Sequence, residues 1–196
     1  MARNISSLVI DHLCDEPGEE NIATAGFYCD YRNQHEQTTI NIMGAILKQL
    51  VVGEEMLGRV KTAFSMAKRK LGGRGLRLPD MMLMLKQAIA ALPRVFICID
   101  ALDECLPKHL PELLVLLEDI IRESPSTRIF VTGRPQVEAE IKRRFTTVVI
   151  IPISPNTHDI RRYLENKLDM DTEQDAMPDD LRADILRVIP ERISEM

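Results

Sequence analysis

The sequence has no tryptophan, and three tyrosines and five phenylalanines are its only aromatics among 196 residues. That scarcity argues against binding single-stranded nucleic acid by base stacking. It argues equally against an all-β sandwich, whose strands favour aromatic side chains. No apolar run approaches the ~18 residues that cross a bilayer. The opening Met1-Ala2-Arg3-Asn4-Ile5-Ser6-Ser7-Leu8 is followed too soon by Asp11 and His12 to form a signal peptide. A basic excess is also missing. Twenty-five basic and 30 acidic residues leave a net charge of −5, which speaks against a dedicated nucleic-acid or anionic-membrane binder. The cysteines at 14, 29, 98 and 105 form no Cys-x-x-Cys pair and no metal-ligand spacing. They read as reduced, structural thiols of a cytoplasmic protein.

What is present is an alternation of two periods. Residues 22–29 read as a strand ending at Asp30. Leu8, Val9 and Leu13 fit a short first helix, and Thr38 or Thr39 caps a helix through about Val52. A further helix is expected over 54–70, then a glycine loop at 71–75. The seven basic residues from Arg59 to Arg77 read as a solvated face. Asp80 reads as the N-cap of a methionine-rich helix that Pro93 stops. Residues 94–99, 127–132 and 146–151 are apolar, β-branched runs without polar alternation, as in strands of a parallel sheet buried on both faces. Helices are expected near 110–123, 135–144 and from Asn156 or Thr157 to Leu168. An acidic linker (169–180) and a last helix complete the chain. The alternation implies an α/β layer fold with at least four parallel strands and right-handed crossovers.

The chemistry of such a sheet lies at the carboxyl ends of its strands. The run 94–99 passes directly into Asp100-Ala101-Leu102-Asp103-Glu104. Three carboxylates crowded at the end of a buried strand repel one another and call for a cation. A hydrated Mg²⁺ held by Asp100 suits the chemistry, and Asp103 or Glu104 could then orient a water for attack on a γ-phosphate. The competing reading makes Asp100 a strand terminus and Asp103-Glu104 a turn cap. The next strand ends at Thr132-Gly133-Arg134-Pro135, which sets Arg134 on the same edge, able to meet a terminal phosphate. Cys98 reads as buried in its strand and Cys105 as more exposed. A kinase-like or nucleotide-independent hydrolase built on the same acids lacks a Ser, Cys or His nucleophile placed by the sequence.

At these residues the sequence takes on a family likeness. Val95-Phe96-Ile97-Cys98-Ile99-Asp100-Ala101-Leu102-Asp103-Glu104-Cys105 resembles the extended Walker B motif of NACHT nucleoside triphosphatases, members of the signal-transducing class of P-loop ATPases. Arg128 to Pro135 resembles that family's sensor 1 strand. Gly26 to Tyr31, Gln37-Thr38-Thr39 and Ile46 to Leu50 are similar to the region after the P-loop in fungal NLR-like proteins and nephrocystin-type N-terminal domains. The resemblance implies a three-layer P-loop sandwich and an ATP/ADP-dependent switch. Asp100 would be the Mg²⁺-associated acid, Asp103 and Glu104 the water-orienting pair, and Arg134 the γ-phosphate sensor, with Thr132 nearby. It implies a partial NTPase core over 1–168, the linker 169–180, and the start of a helical region over 181–196. Protein partners would be homologous NLR-like chains or a second copy.

One departure stands against these agreements. No Gly-Lys-Ser/Thr occurs anywhere in the sequence, and the strand leading into a P-loop, central in this class, is missing. The loop normally cradles phosphates with its N–H groups and neutralises them with its lysine. The expectation is therefore weak or absent ATP binding and no useful hydrolysis by this chain. The alternatives are an interaction module that docks on a full-length homologue, or a coding segment read from a misplaced start.

Overall fold

The computed structural model describes residues 5–15, 22–51, 77–153, 156–170 and 177–194, with Gly58, Thr62 and Ser65 between them. The glycine loop at 71–75 and nearly all of the helix expected over 54–70, with its basic residues, lie outside the described residues. The chain divides into two compact units, Met1–Val148 and Val149–Met196.

The first unit is built on a parallel sheet of three strands in the order β1-β2-β3: β1 (Ile22–Tyr28), β2 (Arg94–Asp100) and β3 (Thr127–Val131). Ile22 to Tyr28 pair with Arg94 to Asp100, and Val95 to Ile99 with Thr127 to Val131. The central strand carries a continuous apolar run, and Val95, Ile97, Cys98 and Ile99 are all buried. The α/β class with a parallel sheet is the one expected.

Alternation along the strands separates the two faces. Ala25, Val95, Ile97 and Ile99 join one core cluster with helices α2 (Thr39–Leu50), α3 (Leu78–Ala90) and α4 (Leu110–Glu123). The apolar faces of those helices are buried at helical spacing: Ile42, Ile46 and Leu50 on α2, Leu113, Leu117 and Ile120 on α4. On the opposite face lies α1 (Ile5–Asp15), close enough that a Cβ at Gly26 would meet Ile10 at 2.9 Å. Met82 and Met84 are buried, so the methionine cluster is core filling.

Local signals set several boundaries. Thr38 caps α2 by accepting from Asn41 N at 3.4 Å, and Pro111 sits in the first turn of α4. Asp80 is not a cap: α3 starts at Leu78 behind Arg77, with Pro79 and Asp80 in its first turn, where proline and acid both suit unpaired N–H groups. The expected helix over 135–144 opens as a 3₁₀ turn, Pro135–Val137, before α5 (Glu138–Arg144).

Residues 146–151 do not form a strand, so the expected fourth strand is a correction. The segment is a turn at 146–147 followed by irregular chain with no ladder partner, and Val149 and Ile151 are 86% and 74% exposed. β-Branched residues favour a strand only where a neighbouring strand and a face to pack on are supplied. Among the described residues β3 pairs with β2 alone.

The two edges of the sheet are treated differently. Along β1, the Gln49 side-chain amide accepts from Gly26 N at 2.9 Å and donates to Gly26 O at 2.8 Å. Just past the strand, Gln37 does the same, accepting from Asp30 N at 3.1 Å and donating to Asp30 O at 3.0 Å. Two glutamine amides therefore stand in for a neighbouring strand and satisfy edge groups that would otherwise need water. No such pair lines β3 among the described residues.

In the second unit, α6 (Thr157–Asp169) is capped by Asn156, which accepts from Asp159 N at 2.8 Å. It packs on α7 (Asp179–Ser194), with Arg182 paired to Asp169 at 2.5 Å. Ile160 is buried between exposed neighbours. No described helix is long and apolar enough to cross a membrane.

Candidate functional site

The carboxyl ends of all three strands meet at one edge, and the acidic turn lies at their centre. The ladder continues past the strands: Cys29 N donates to Asp100 O at 3.0 Å, and Thr132 N to Ile99 O at 3.0 Å. β2 then turns sharply. Ala101 adopts the left-handed conformation (φ 52°, ψ 49°), the only positive φ at a non-glycine residue among those described. A 3₁₀ turn follows over Leu102–Glu104.

Thr132 secures this turn from the neighbouring strand. Its hydroxyl donates to Asp100 Oδ1 at 2.5 Å and accepts from Ala101 N at 3.0 Å. Its carbonyl accepts from Leu102 N at 2.9 Å. Three successive residues of the acidic segment are thus held by one threonine. The left-handed residue costs about 1–2 kcal/mol for an L-amino acid, and these bonds hold it in place.

The next two acids point to opposite sides. Asp103, whose side chain is 6% exposed, accepts from Arg134 N through Oδ1 at 3.0 Å, and its Oδ2 lies 3.4 Å from Arg134 Nε. The Arg134 side chain itself is 72% exposed. Gly133 fits closely beneath, where a Cβ would meet Val137 at 2.9 Å and Asp103 Oδ1 at 3.5 Å. Glu104 turns toward β1 instead: its Oε2 accepts from Tyr31 N at 3.0 Å, and its carbonyl accepts from Gln34 Nε2 at 2.8 Å.

All five residues singled out by sequence therefore gather at one edge: Asp100 with Thr132, Asp103 with Arg134, and Glu104 beside them. Sequence reasoning did not find Tyr31, Gln34 or Ala101. The first two meet Glu104 across some 70 residues of chain, which no local pattern reveals. An alanine in the left-handed region carries no signal of the kind glycine or asparagine gives.

The thiols around this edge are buried. Cys105 is buried, contrary to the exposure expected from its place after the acids; it packs in the main core cluster. Burial pushes the Cys29 thiol up to about 12, helped by Cys105 and by the charges of Asp100, Glu104 and Asp103. Burial also raises Cys105. Tyr28, paired in register with Asp100, has its hydroxyl raised by burial first and by the Asp100 charge second.

Residues 4–134 match the family model described as Nephrocystin 3, N-terminal. No curated protein matches the sequence.

Proposed function

The chain belongs to the nephrocystin 3 N-terminal family, and on that premise we propose that it is a segment of a NACHT-type nucleotide-dependent signalling switch that does not handle ATP by itself. The observation that carries this reading is the placement of Asp100. It ends the central buried strand, hydrogen-bonded to Thr132 just past the end of the adjacent strand, with Arg134 on the same edge. That is where an α/β sheet keeps its ligand chemistry.

The residues present fit only part of a Mg²⁺–ATP site. Asp100 supplies one oriented carboxylate, and Mg²⁺ takes one or two carboxylates with waters and phosphates. Among the described residues no group of three His, Cys, Asp or Glu side chains converges to hold a metal. The phosphate cradle and its lysine have no counterpart in the sequence. Bound Mg²⁺ would supply charge neutralisation at phosphate oxygens. This chain's own residues provide a fixed acid at Asp100 and, in Arg134, a guanidinium that is 72% exposed although Asp103 anchors it, on the edge where a phosphate would sit. The reading places the chain in the cytoplasm, in keeping with the buried thiols of Cys29, Cys98 and Cys105. Phosphate release from ATP by the purified chain tests it. The expected rate is indistinguishable from that of Asp100→Ala, and turnover lost on that substitution overturns it.

A second reading, an interaction module that docks on a homologous chain, is favoured by β3, whose only ladder partner among the described residues is β2, and by the exposed Val148, Val149, Ile150, Ile151 and Ile153. It predicts self-association or co-purification with a homologue. A monomer at all concentrations in sedimentation, with no co-purifying homologue, counts against it.

A further inference from the structure

We propose that Glu104 is a positioning residue. Its carboxylate, acting as a hydrogen-bond acceptor, fixes the loop between β1 and α2 to the acidic turn, and with it an exposed tyrosine–arginine pair at the strand edge.

The loop is well built internally. Asp30 Oδ1 accepts from Arg32 N at 2.9 Å and its Oδ2 from Asn33 Nδ2 at 2.9 Å. Gln37 closes it onto Asp30 from the other end. Internal bonds give the loop a shape but do not set where it stands against the sheet. That placement comes from Glu104, through Tyr31 N on its carboxylate and Gln34 Nε2 on its carbonyl. What the loop presents is Tyr31, 60% exposed, with the Arg32 guanidinium 5.7 Å from its ring centroid and Arg32 Nε donating to its hydroxyl at 3.3 Å.

Neighbouring acids thus divide the edge between them. Asp103 holds the loop after β3, and with it Arg134; Glu104 holds the loop after β1, and with it Tyr31 and Arg32. Both acids sit on one three-residue turn behind left-handed Ala101. A displacement of that turn moves both loops together, so the Tyr31–Arg32 pair reports the state of the acidic segment. The proposal concerns placement alone and stands whether or not the chain meets nucleotide.

A carboxylate that works on a cation or a water needs its charge, whereas one that accepts from a backbone N–H needs only an oxygen. Glutamine keeps the oxygen and loses the charge. Hydrogen exchange on the full 196-residue chain separates the two roles. In Glu104→Ala, amide exchange over residues 31–37 should rise about tenfold, on the order expected when one net hydrogen bond is lost from a local opening. Glu104→Gln should restore protection to near the unsubstituted level. Gln34→Ala should raise exchange in the same segment. Asp103→Ala should raise it at Arg134 and leave 31–37 as it was. The proposal is overturned if Glu104→Ala leaves exchange over residues 31–37 unchanged, or if Glu104→Gln exchanges like Glu104→Ala. Where Glu104→Ala fails to fold, Glu104→Gln decides the matter: protection over 31–37 near the unsubstituted level supports the proposal and its loss overturns it.

Discussion

The Thr132 hydroxyl links Asp100 and Ala101 at once, donating to the Asp100 carboxylate at 2.5 Å and accepting from the Ala101 amide at 3.0 Å. One side chain therefore both aims the acid that ends the central strand and stabilises the left-handed residue after it. Thr132→Val keeps the shape and removes both bonds. It should destabilise the chain by about 1–3 kcal/mol, the range for partly buried groups left unpaired. Thr132→Ser should recover most of that loss. Urea denaturation of the three proteins measures it.

Ala101 itself gives a second prediction. Its φ of 52° tolerates glycine and disfavours β-branching. Ala101→Gly should fold with stability within about 1 kcal/mol of the unsubstituted chain, and Ala101→Val should lose at least about 2 kcal/mol. Thermal unfolding followed by circular dichroism distinguishes them.

The site was legible in the sequence where the signal was local. An apolar β-branched run ending in Asp100 marked β2, and a second such run placed Thr132 and Arg134 beside its carboxyl end. Thr38 and Asn156 announced their helices because a cap bonds only a few residues ahead. The same reasoning overreached at residues 146–151, whose composition favours a strand but which have no ladder partner. It also missed two contacts that the fold makes between segments far apart in the chain: Glu104 with Tyr31, and Gln49 with Gly26. Those depend on which loops the fold brings together, and the polar residues involved look like ordinary surface.

The glutamine caps on β1 supply a third prediction. Gln49→Ala leaves Gly26 N–H and C=O without their side-chain partner. The cost should be about 1–2 kcal/mol, because water reaches this exposed edge and replaces part of what is lost. Exchange at the Gly26 amide should rise, while that of the β2 amides, inside the sheet, should not.

Alkaline pH should destabilise the chain through its buried thiols. An unperturbed thiol ionises at 9.0, and Cys29 in the fold only at about 12. Between those values the unfolded state has released the proton and the folded state still holds it. The unfolded state then binds fewer protons, so stability falls as pH rises through that window and is fully present below it. Cys29→Ala should flatten the decline in a urea titration repeated from pH 8 to 11. In the native chain at neutral pH, Cys29 should resist thiol reagents until denaturant is added.

The most direct measurement is the binding of Mg²⁺–ATP by equilibrium dialysis, comparing the purified chain with Asp100→Ala. The acid, the threonine and the arginine stand at the strand edge, but no Gly-Lys-Ser/Thr segment is present to hold phosphates beside them. The predicted result is no saturable binding tighter than about 1 mM in either protein, an affinity of roughly −4 kcal/mol. Micromolar binding by the chain, abolished in Asp100→Ala, would contradict the account.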